Sequence, residues 1–207
     1  MSKTRSLTDN ETRRWLEGAS RGRNPQRDRL WGLMAGIWGL RVEEQLSLQI
    51  RDVIRVNKKT GEIQVRQLLG IRREHRKRKK EGAEFRMNPQ IKHALLRWVE
   101  TLLTQYGLTL KDTLWPGRNV VGFACPPPMT QRGIRCMIMA HCDRAGISPD
   151  GISTHSFRKR KARVLRRKFN DIKIIKEGLH HTEIKSTEAY DEDLRHVVWQ
   201  EQLEDRM

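Results

Sequence analysis

The N-terminal part of the chain follows a helical period. Residues 26–38 place apolar side chains three and four positions apart, which predicts a helix with one apolar face. Thr8 and Glu11 have the spacing of a capping box, so we expect an earlier helix around Trp15. Gly39 is expected to end the second helix. The apolar face of that helix consists of Leu30, Leu33, Met34 and Ile37.

After a short predicted helix at residues 43–48, the pattern changes to the alternation of strands. Residues 52–56 ("DVIRV") and 62–69 ("EIQVRQLL") are predicted strands, and the "NKKTG" between them is typical of a hairpin connection. A third short strand is expected at residues 84–87. These segments together predict one small antiparallel sheet.

The remainder of the chain is predominantly helical in pattern. Asn88 and Pro89 begin a long predicted helix that Gly107 ends, with an apolar stripe of Ile91, Leu95, Trp98 and Leu102. A loop is expected at residues 115–130, followed by helix almost to the end with a break at residues 145–153. The predicted fold class is therefore mainly α with a small antiparallel β-sheet (α+β), in one domain.

Charge is the composition feature that changes this picture most. The 207 residues include 42 Lys and Arg against 25 Asp and Glu, a net charge of +17. Such an excess favours a polyanionic partner, most often nucleic acid. No apolar run is long enough to span a bilayer and no signal-peptide pattern is present, so we expect an intracellular protein without a membrane partner.

Cysteine and histidine usage gives no indication of a metal site. Three cysteines without a Cys-x-x-Cys pair support neither a disulfide framework nor a zinc ribbon. His180, His181 and Glu183 lack a fourth ligand at a zinc-like spacing, so no metal is expected.

Two segments concentrate the positive charge. Residues 72–80 have seven basic residues in nine positions, and residues 158–168 have eight in eleven. A helix over the second segment, capped by Ser153 or Thr154, would repel itself, and counter-charge from DNA phosphates would relieve that repulsion. A solvated face or a localisation signal is the alternative for either cluster. The predicted DNA-binding residues are Arg72, Arg73, Arg76, Lys77, Arg78, Lys80, Lys159 and Arg160.

The chain also contains the groups that cleave a phosphodiester without a metal. That reaction needs a nucleophilic oxygen, fixed guanidinium groups for the charge on the transition state, and an acid for the leaving oxygen. Arg41 follows the second predicted helix, and His155 and Arg158 share one helical face. His181 precedes Tyr190 by nine positions.

Three motifs in this order resemble those of the tyrosine recombinase (phage integrase) family. "GLRVEEQLSLQIRDV" is similar to G-L-R-x-x-E-x-x-x-L-x-x-x-D, with Arg41 and Glu44 on its arginine and supporting acid. "THSFRKR" is similar to the H-x-x-R box, and "LHHTEIKSTEAY" to L-G-H-x-x-x-x-x-T-x-x-Y. The resemblance extends from Ser6 to about Asp193 and implies the catalytic-domain fold of that family.

The resemblance implies a role for each motif residue. Tyr190 would attack the scissile phosphate and form a 3′-phosphotyrosine link, while Arg41 and Arg158 hold the non-bridging oxygens. His155 and His181 would assist proton transfer and phosphate contact. Glu44 would orient Arg41. No cofactor is implied, because the covalent link conserves the bond energy.

The family also uses a hairpin lysine to protonate the leaving 5′-oxygen. That lysine precedes a strand of the type basic-x-V-P-L, which "EFRMNP" resembles. Counting back favours Lys79, with Lys77 and Lys80 as rivals.

Two motif positions depart from the family pattern. His180 stands where a glycine usually precedes the second histidine, and Lys159 follows Arg158 where histidine is frequent. Many members also have an N-terminal core-binding domain. We expect residues 1–207 to be a single catalytic domain without one, as in the short fimbrial-switch invertases or as a domain taken from a longer protein.

The resemblance implies double-stranded DNA with specific recombination sites as partner, a homotetramer on DNA and a monomer or weak oligomer when free. It implies the cytoplasm of a prokaryotic cell or of the host of a phage or mobile element. A predicted C-terminal helix within residues 191–207 packs either on its own domain or in trans on a neighbouring protomer. Two alternatives to a recombinase are a type IB topoisomerase and a non-catalytic DNA-binding regulator.

Overall fold

A computed structural model of the chain describes residues 4–71, 83–118, 126–180 and 187–188. The helices are α1 (Asp9–Ser20), α2 (Pro25–Trp38), α3 (Val42–Leu46), α4 (Ile50–Val53), α5 (Pro89–Thr104), α6 (Gln131–Arg144), α7 (Thr154–Phe169) and α8 (Ile172–Gly178). The strands are β1 (Ile54–Val56), β2 (Ile63–Val65), β3 (Leu68–Ile71) and β4 (Ala83–Arg86). Among the described helices, none has both the length and the apolar composition of a membrane span.

The first helix begins at the predicted capping box. The Thr8 hydroxyl accepts the Glu11 N–H at 3.0 Å, and the Glu11 carboxylate accepts the Thr8 N–H at 2.8 Å. Glu11 also binds the Arg5 guanidinium at 2.7 and 2.9 Å. Because Arg5 donates to the backbone oxygens of Ser148 and Asp150, the start of α1 is tied to the loop before α7.

The C-terminal helical run is divided once more than the sequence pattern predicted. The expected break at residues 145–153 separates α6 from α7. A second break follows α7, where Asn170 adopts a left-handed φ of 52°. The Asp171 carboxylate then accepts the Lys173 N–H at 2.7 Å and begins α8. Asparagine tolerates the left-handed region and aspartate caps helices well, so this pair was the available signal.

The prediction of one sheet was wrong, because the strand predicted at residues 62–69 changes partner in its middle. β2 pairs antiparallel with β1, whereas β3 pairs antiparallel with β4. The switch lies at two residues: Arg66 donates its N–H to the Val53 carbonyl at 2.9 Å, and the Gln67 carbonyl accepts the Met87 N–H at 2.9 Å. Within the described ranges, the strands thus form two small two-stranded sheets.

The strand predicted at residues 52–56 also begins later than expected. The Asp52 carboxylate accepts the Gln49 N–H at 2.9 Å, which stabilises the short helix α4. β1 therefore starts only at Ile54. At these residues the local bond from the backbone to a side chain determines the structure, and the alternating pattern does not.

The core is built around α2, which contacts α1, α5 and α7. Three aromatic rings meet edge-on there. The ring centroids of Trp15 in α1 and Trp31 in α2 lie 5.0 and 5.3 Å from that of Phe157 in α7. The sequence predicted a single apolar face for α2, but the helix is buried on nearly all sides. Its buried residues are Arg27, Asp28, Leu30, Trp31, Gly32, Leu33, Met34, Ala35, Gly36 and Trp38.

A buried polar cluster joins the start of α2 to α6. The Asp28 carboxylate accepts a bond from Arg27 Nε at 2.8 Å and from His141 Nε2 at 2.9 Å. The Arg144 guanidinium donates to His141 Nδ1 at 3.0 Å, which makes Nδ1 the acceptor and assigns the proton to Nε2. Arg27 also donates to the Pro116 carbonyl at 2.9 Å. Each charged group of this cluster therefore has a hydrogen-bond partner, as buried charges require.

One carboxylate neutralises part of the basic helix α7. Asp9, in the first turn of α1, lies 2.9 Å from Arg160, 3.0 Å from Arg167 and 3.7 Å from Arg163. Burial alone would raise the pKa of Asp9, but the three guanidinium groups together hold it below its usual value. The repulsion expected within α7 is thus relieved in part by the protein itself.

We predict that Asp9→Asn lowers the free energy of unfolding by about 1 kcal/mol at pH 7 in urea denaturation. The value is modest because the Asp9 side chain is 43% exposed and water screens its charges. Since the folded pKa lies below the unfolded pKa of about 3.9, this stabilisation is present above that pH and is lost as the pH falls through the folded value. The variant and wild type should therefore converge in acid.

The matched control for this prediction is Asp143→Asn, at an exposed position near the end of α6. This variant should leave the free energy of unfolding nearly unchanged both at pH 7 and in acid. An equal loss in the control, or a loss in Asp9→Asn that persists below the folded pKa, would contradict the prediction.

Candidate active site

Arg158 is the buried centre of the site. It lies in the first half of α7 and is only 3% exposed. Its Nη1 donates to the carbonyl of Gly39, and its Nη2 donates to the carbonyl of Leu179 at 2.6 Å. Both carbonyls belong to the residue that ends a helix, α2 and α8 respectively. One guanidinium group therefore joins three segments that are far apart in the sequence.

Gly39 fits this junction for two reasons. Its φ of 66° is in the left-handed region, as expected of a glycine that ends a helix. A Cβ there would also lie 3.2 Å from both Leu179 Cδ2 and Lys161 Cγ. The close approach of α7 and α8 to the end of α2 thus depends on a missing side chain.

Arg41 follows this junction directly and is oriented by Glu44. The Glu44 carboxylate accepts the Arg41 backbone N–H at 2.8 Å and lies 3.2 Å from its Nη1. Glu44 is 4% exposed, whereas the Arg41 side chain remains 26% exposed. The buried carboxylate holds the base of Arg41 and leaves part of the guanidinium accessible to an anion.

His155 lies in the first turn of α7 on the same face as Arg158. The Ser153 hydroxyl accepts its backbone N–H at 3.2 Å, so the predicted helix cap is present. The ring is exposed, yet the pKa of His155 is lowered, first by lost hydration and then by the positive charges of Arg158 and Arg41. The lowered pKa favours the uncharged imidazole, which can accept a proton. Arg41 and Arg158 thus both contribute positive charge that disfavours the protonated form of His155.

His180 forms the turn that ends α8. Its φ of 50° is left-handed, and its N–H bonds to the Glu177 carbonyl at 2.8 Å. The backbone turn implied by the usual glycine is therefore kept despite the histidine. The His180 ring lies 4.5 Å from the ring of Phe85 in β4. Histidine is among the residue types that visit this region more often than most.

Several predicted site residues lie outside the described part of the chain. These are Tyr190, His181, Lys79, Arg72, Arg73, Arg76, Lys77, Arg78 and Lys80, together with residues 191–207. Thr187 of the tyrosine motif is described and is fully buried.

The two residues of α7 predicted to bind DNA contact the protein itself. Lys159 Nζ donates to the Thr4 carbonyl at 2.6 Å, and Arg160 donates to Asp9 at 2.9 Å. Both contacts hold the N-terminal segment and α1 against α7. A role in DNA binding stays a prediction for these two residues.

Two arginines that the sequence reasoning did not single out lie beside the site. A cleft of about 1230 Å³ is bordered by Val42 and Thr154, which are neighbours of Arg41 and His155, and by Arg132 and Arg135 of α6. The signal was available, because a spacing of three places both arginines on one side of the helix. In the described ranges, no three His, Cys, Asp or Glu side chains converge as metal ligands.

The phage integrase family model matches residues 5–196, nearly the whole chain. The chain belongs to the phage integrase family. This confirms the family that the motifs indicated. No curated protein sequence matches the chain.

Solved recombinases share its fold. The crystal structure of XerA recombinase has a TM-score of 0.71 and 22% identity over 97% of this chain and 66% of that one. XerH bound to its difH substrate has a TM-score of 0.68 and 17% identity over 92% of this chain and 51% of that one. A lambda integrase dimer bound to a COC′ core site has a TM-score of 0.61 and 18% identity, covering 93% of this chain and 49% of that one.

The described elements therefore form the catalytic-domain fold of tyrosine recombinases. This chain spans about half to two thirds of the length of those three structures.

We predict that Arg158→Lys lowers the free energy of unfolding by about 2–4 kcal/mol in urea denaturation, because one ammonium group cannot bind both helix-end carbonyls in this buried position. Arg135→Lys, at an exposed position of α6, is the matched control and should change stability little. Equal stability of the two variants would show that Arg158 is not the structural junction.

Proposed function

We propose that this protein is a site-specific DNA recombinase of the tyrosine class. The observation that carries the proposal is the junction at Arg158. Its guanidinium joins the end of α2, two residues before Arg41, and the end of α8 to α7, the helix that carries His155. The chain continues from the end of α8 directly into His181 and Tyr190. The order of the motifs and the convergence of the described segments support the same function.

The proposed reaction begins with attack of the Tyr190 oxygen on a backbone phosphorus, while the phenolic proton passes to a histidine of the site, His155 or His181. A new bond forms between phosphorus and the tyrosine oxygen, and the bond between phosphorus and the 5′-oxygen breaks. The leaving 5′-oxygen takes a proton from the hairpin lysine, for which Lys79 is our candidate. The reverse reaction, with the 5′-hydroxyl of another strand as nucleophile, joins the DNA without an external energy source.

Positive charge around the phosphate would supply most of the stabilisation. Arg41 is held by Glu44 and remains partly exposed, so its guanidinium meets the phosphate with little reorganisation. His155 stays neutral beside two arginines, which suits it to share a proton with a non-bridging oxygen or with the nucleophile. The transition state carries more negative charge than the ground-state diester, so this cationic site would stabilise the transition state more.

We further propose double-stranded DNA with specific recombination sites as the substrate, and four protomers on two duplexes as the working assembly. The net charge of +17 and the exposed Arg132 and Arg135 beside the site support binding to DNA phosphates. The cytoplasm of a prokaryotic cell, or of the host of a mobile element, is the proposed location.

The test is covalent capture on DNA. The protein is incubated with a library of nicked duplexes of random sequence, on which the piece released by cleavage diffuses away. Denaturing gels isolate protein–DNA adducts, and sequencing of the attached DNA identifies the preferred site. We predict that wild type forms adducts enriched in one sequence and that Tyr190→Phe forms none, because phenylalanine has no nucleophilic oxygen.

Tyr106→Phe is the matched control, since the chain has only two tyrosines and Tyr106 packs on Trp98 with ring centroids 5.9 Å apart. This variant should keep the adduct. Adducts without sequence enrichment, together with plasmid relaxation, would indicate a type IB topoisomerase instead. Sequence-specific binding by wild type without any adduct would indicate a non-catalytic regulator.

A further inference from the structure

The residue directly after Leu179, which ends α8, has a side chain at a position where backbone geometry favours glycine. His180 has a φ of 50°, which glycine adopts without strain and which costs other residues free energy, although histidine tolerates it better than most. The turn is formed all the same, with the His180 N–H bonded to the Glu177 carbonyl at 2.8 Å. Strain of this kind is retained where the surrounding structure requires it, and it points to a contribution from the side chain.

The His180 side chain contributes a contact with Phe85. The two ring centroids are 4.5 Å apart and the planes are inclined at 61°, an edge-to-face contact. Phe85 is 8% exposed and also packs against Trp38, at 5.9 Å. Because Trp38 Nε1 donates to the Arg86 carbonyl at 3.2 Å, the strand β4 is fixed to the end of α2. His180 joins the end of α8 to that strand.

The two rings belong to residues next to the segments that contain the proposed reacting groups. β4 directly follows the segment 72–82, which contains the candidate lysines. His180 lies between Leu179, whose carbonyl binds Arg158, and His181. The contact thus joins two elements that continue along the chain into the segment with the proposed proton donor and the segment with the proposed nucleophile. Neither ring is itself a reacting group.

We infer that His180 is a positioning residue, whose ring fixes β4 relative to the end of α8 so that the hairpin lysine meets the leaving 5′-oxygen. This inference rests on the proposed function. It concerns a feature of this chain, because a glycine at the same position could form the turn but could not make the contact.

The chemistry of the leaving group offers a specific test. When the Tyr190 oxygen attacks phosphorus, the bond to the 5′-oxygen breaks and that oxygen needs the lysine proton. If sulfur replaces this bridging oxygen, the bond between phosphorus and sulfur breaks and the thiolate departs without a proton, since thiols are far stronger acids than alcohols. A variant that misplaces only the lysine should therefore be slow on the oxygen substrate and normal on the sulfur substrate.

The variants are His180→Gly, which removes both strain and ring, and His180→Asn, which keeps a side chain that tolerates this backbone conformation but has no ring. Single-turnover adduct formation is measured at saturating protein on a nicked duplex with the sequence that wild type selects. We expect cleavage of the oxygen substrate to slow by about 10- to 100-fold in both variants. DNA affinity should be unchanged, and the melting temperature should stay within about 3 °C of wild type.

Two controls distinguish misplacement of the lysine from a general loss of cleavage activity. Phe85→Leu keeps an apolar side chain in β4 but removes the ring, and combining it with His180→Gly should slow cleavage no further than the larger single effect. Arg41→Lys disturbs a phosphate-binding residue, so it should remain slow on both the oxygen and the sulfur substrate.

The outcomes are distinct from those that test the proposed function. If wild type forms no adduct, the proposed function fails. If wild type forms the adduct and both His180 variants cleave the oxygen substrate at the wild-type rate, the positioning role is overturned while the proposed function stands. Slow cleavage that the sulfur substrate does not relieve would also overturn the positioning role, because the ring would then act on something other than the leaving-group proton.

Discussion

The fold and the site depend on one buried cation, the guanidinium of Arg158. Water no longer reaches it, so its charge has to be met by the protein. Two helix ends do so, through the carbonyls of Gly39 and Leu179, where helix dipoles concentrate partial negative charge. Because α2 and α8 both direct their C-terminal ends at this group, the segments that follow them begin side by side. The site is a meeting of helix ends around a fixed positive charge.

The distribution of charge along α7 shows how a strongly basic helix can remain folded. Its positive groups point in different directions: Arg158 binds helix ends, and Arg160, Arg163 and Arg167 surround Asp9. His155, at the start of the helix, stays neutral. Part of the excess of +17 is therefore structural, and only the remainder is available to a polyanion.

The sequence predicted the local features well and the tertiary ones less well. The cap at Thr8, the end of α2 at Gly39 and the motifs of the family could be read directly because each depends on a few neighbouring residues. The partner switch after β2 and the contact between His180 and Phe85 could not, because both depend on segments distant in the chain. The inward role of Arg160 was likewise hidden, since a basic run does not indicate which cations have acidic partners.

The bond pattern of Glu44 links site assembly to local folding. The helix α3 has only five residues, too few to be stable alone. Glu44 satisfies the backbone N–H at its start and, with the same carboxylate, holds the guanidinium of Arg41. Opening of this single turn would release the arginine at the same moment. If Arg41 binds a phosphate as proposed, that binding and the local stability of α3 would be linked, and an anion bound at Arg41 would protect this turn from hydrogen exchange.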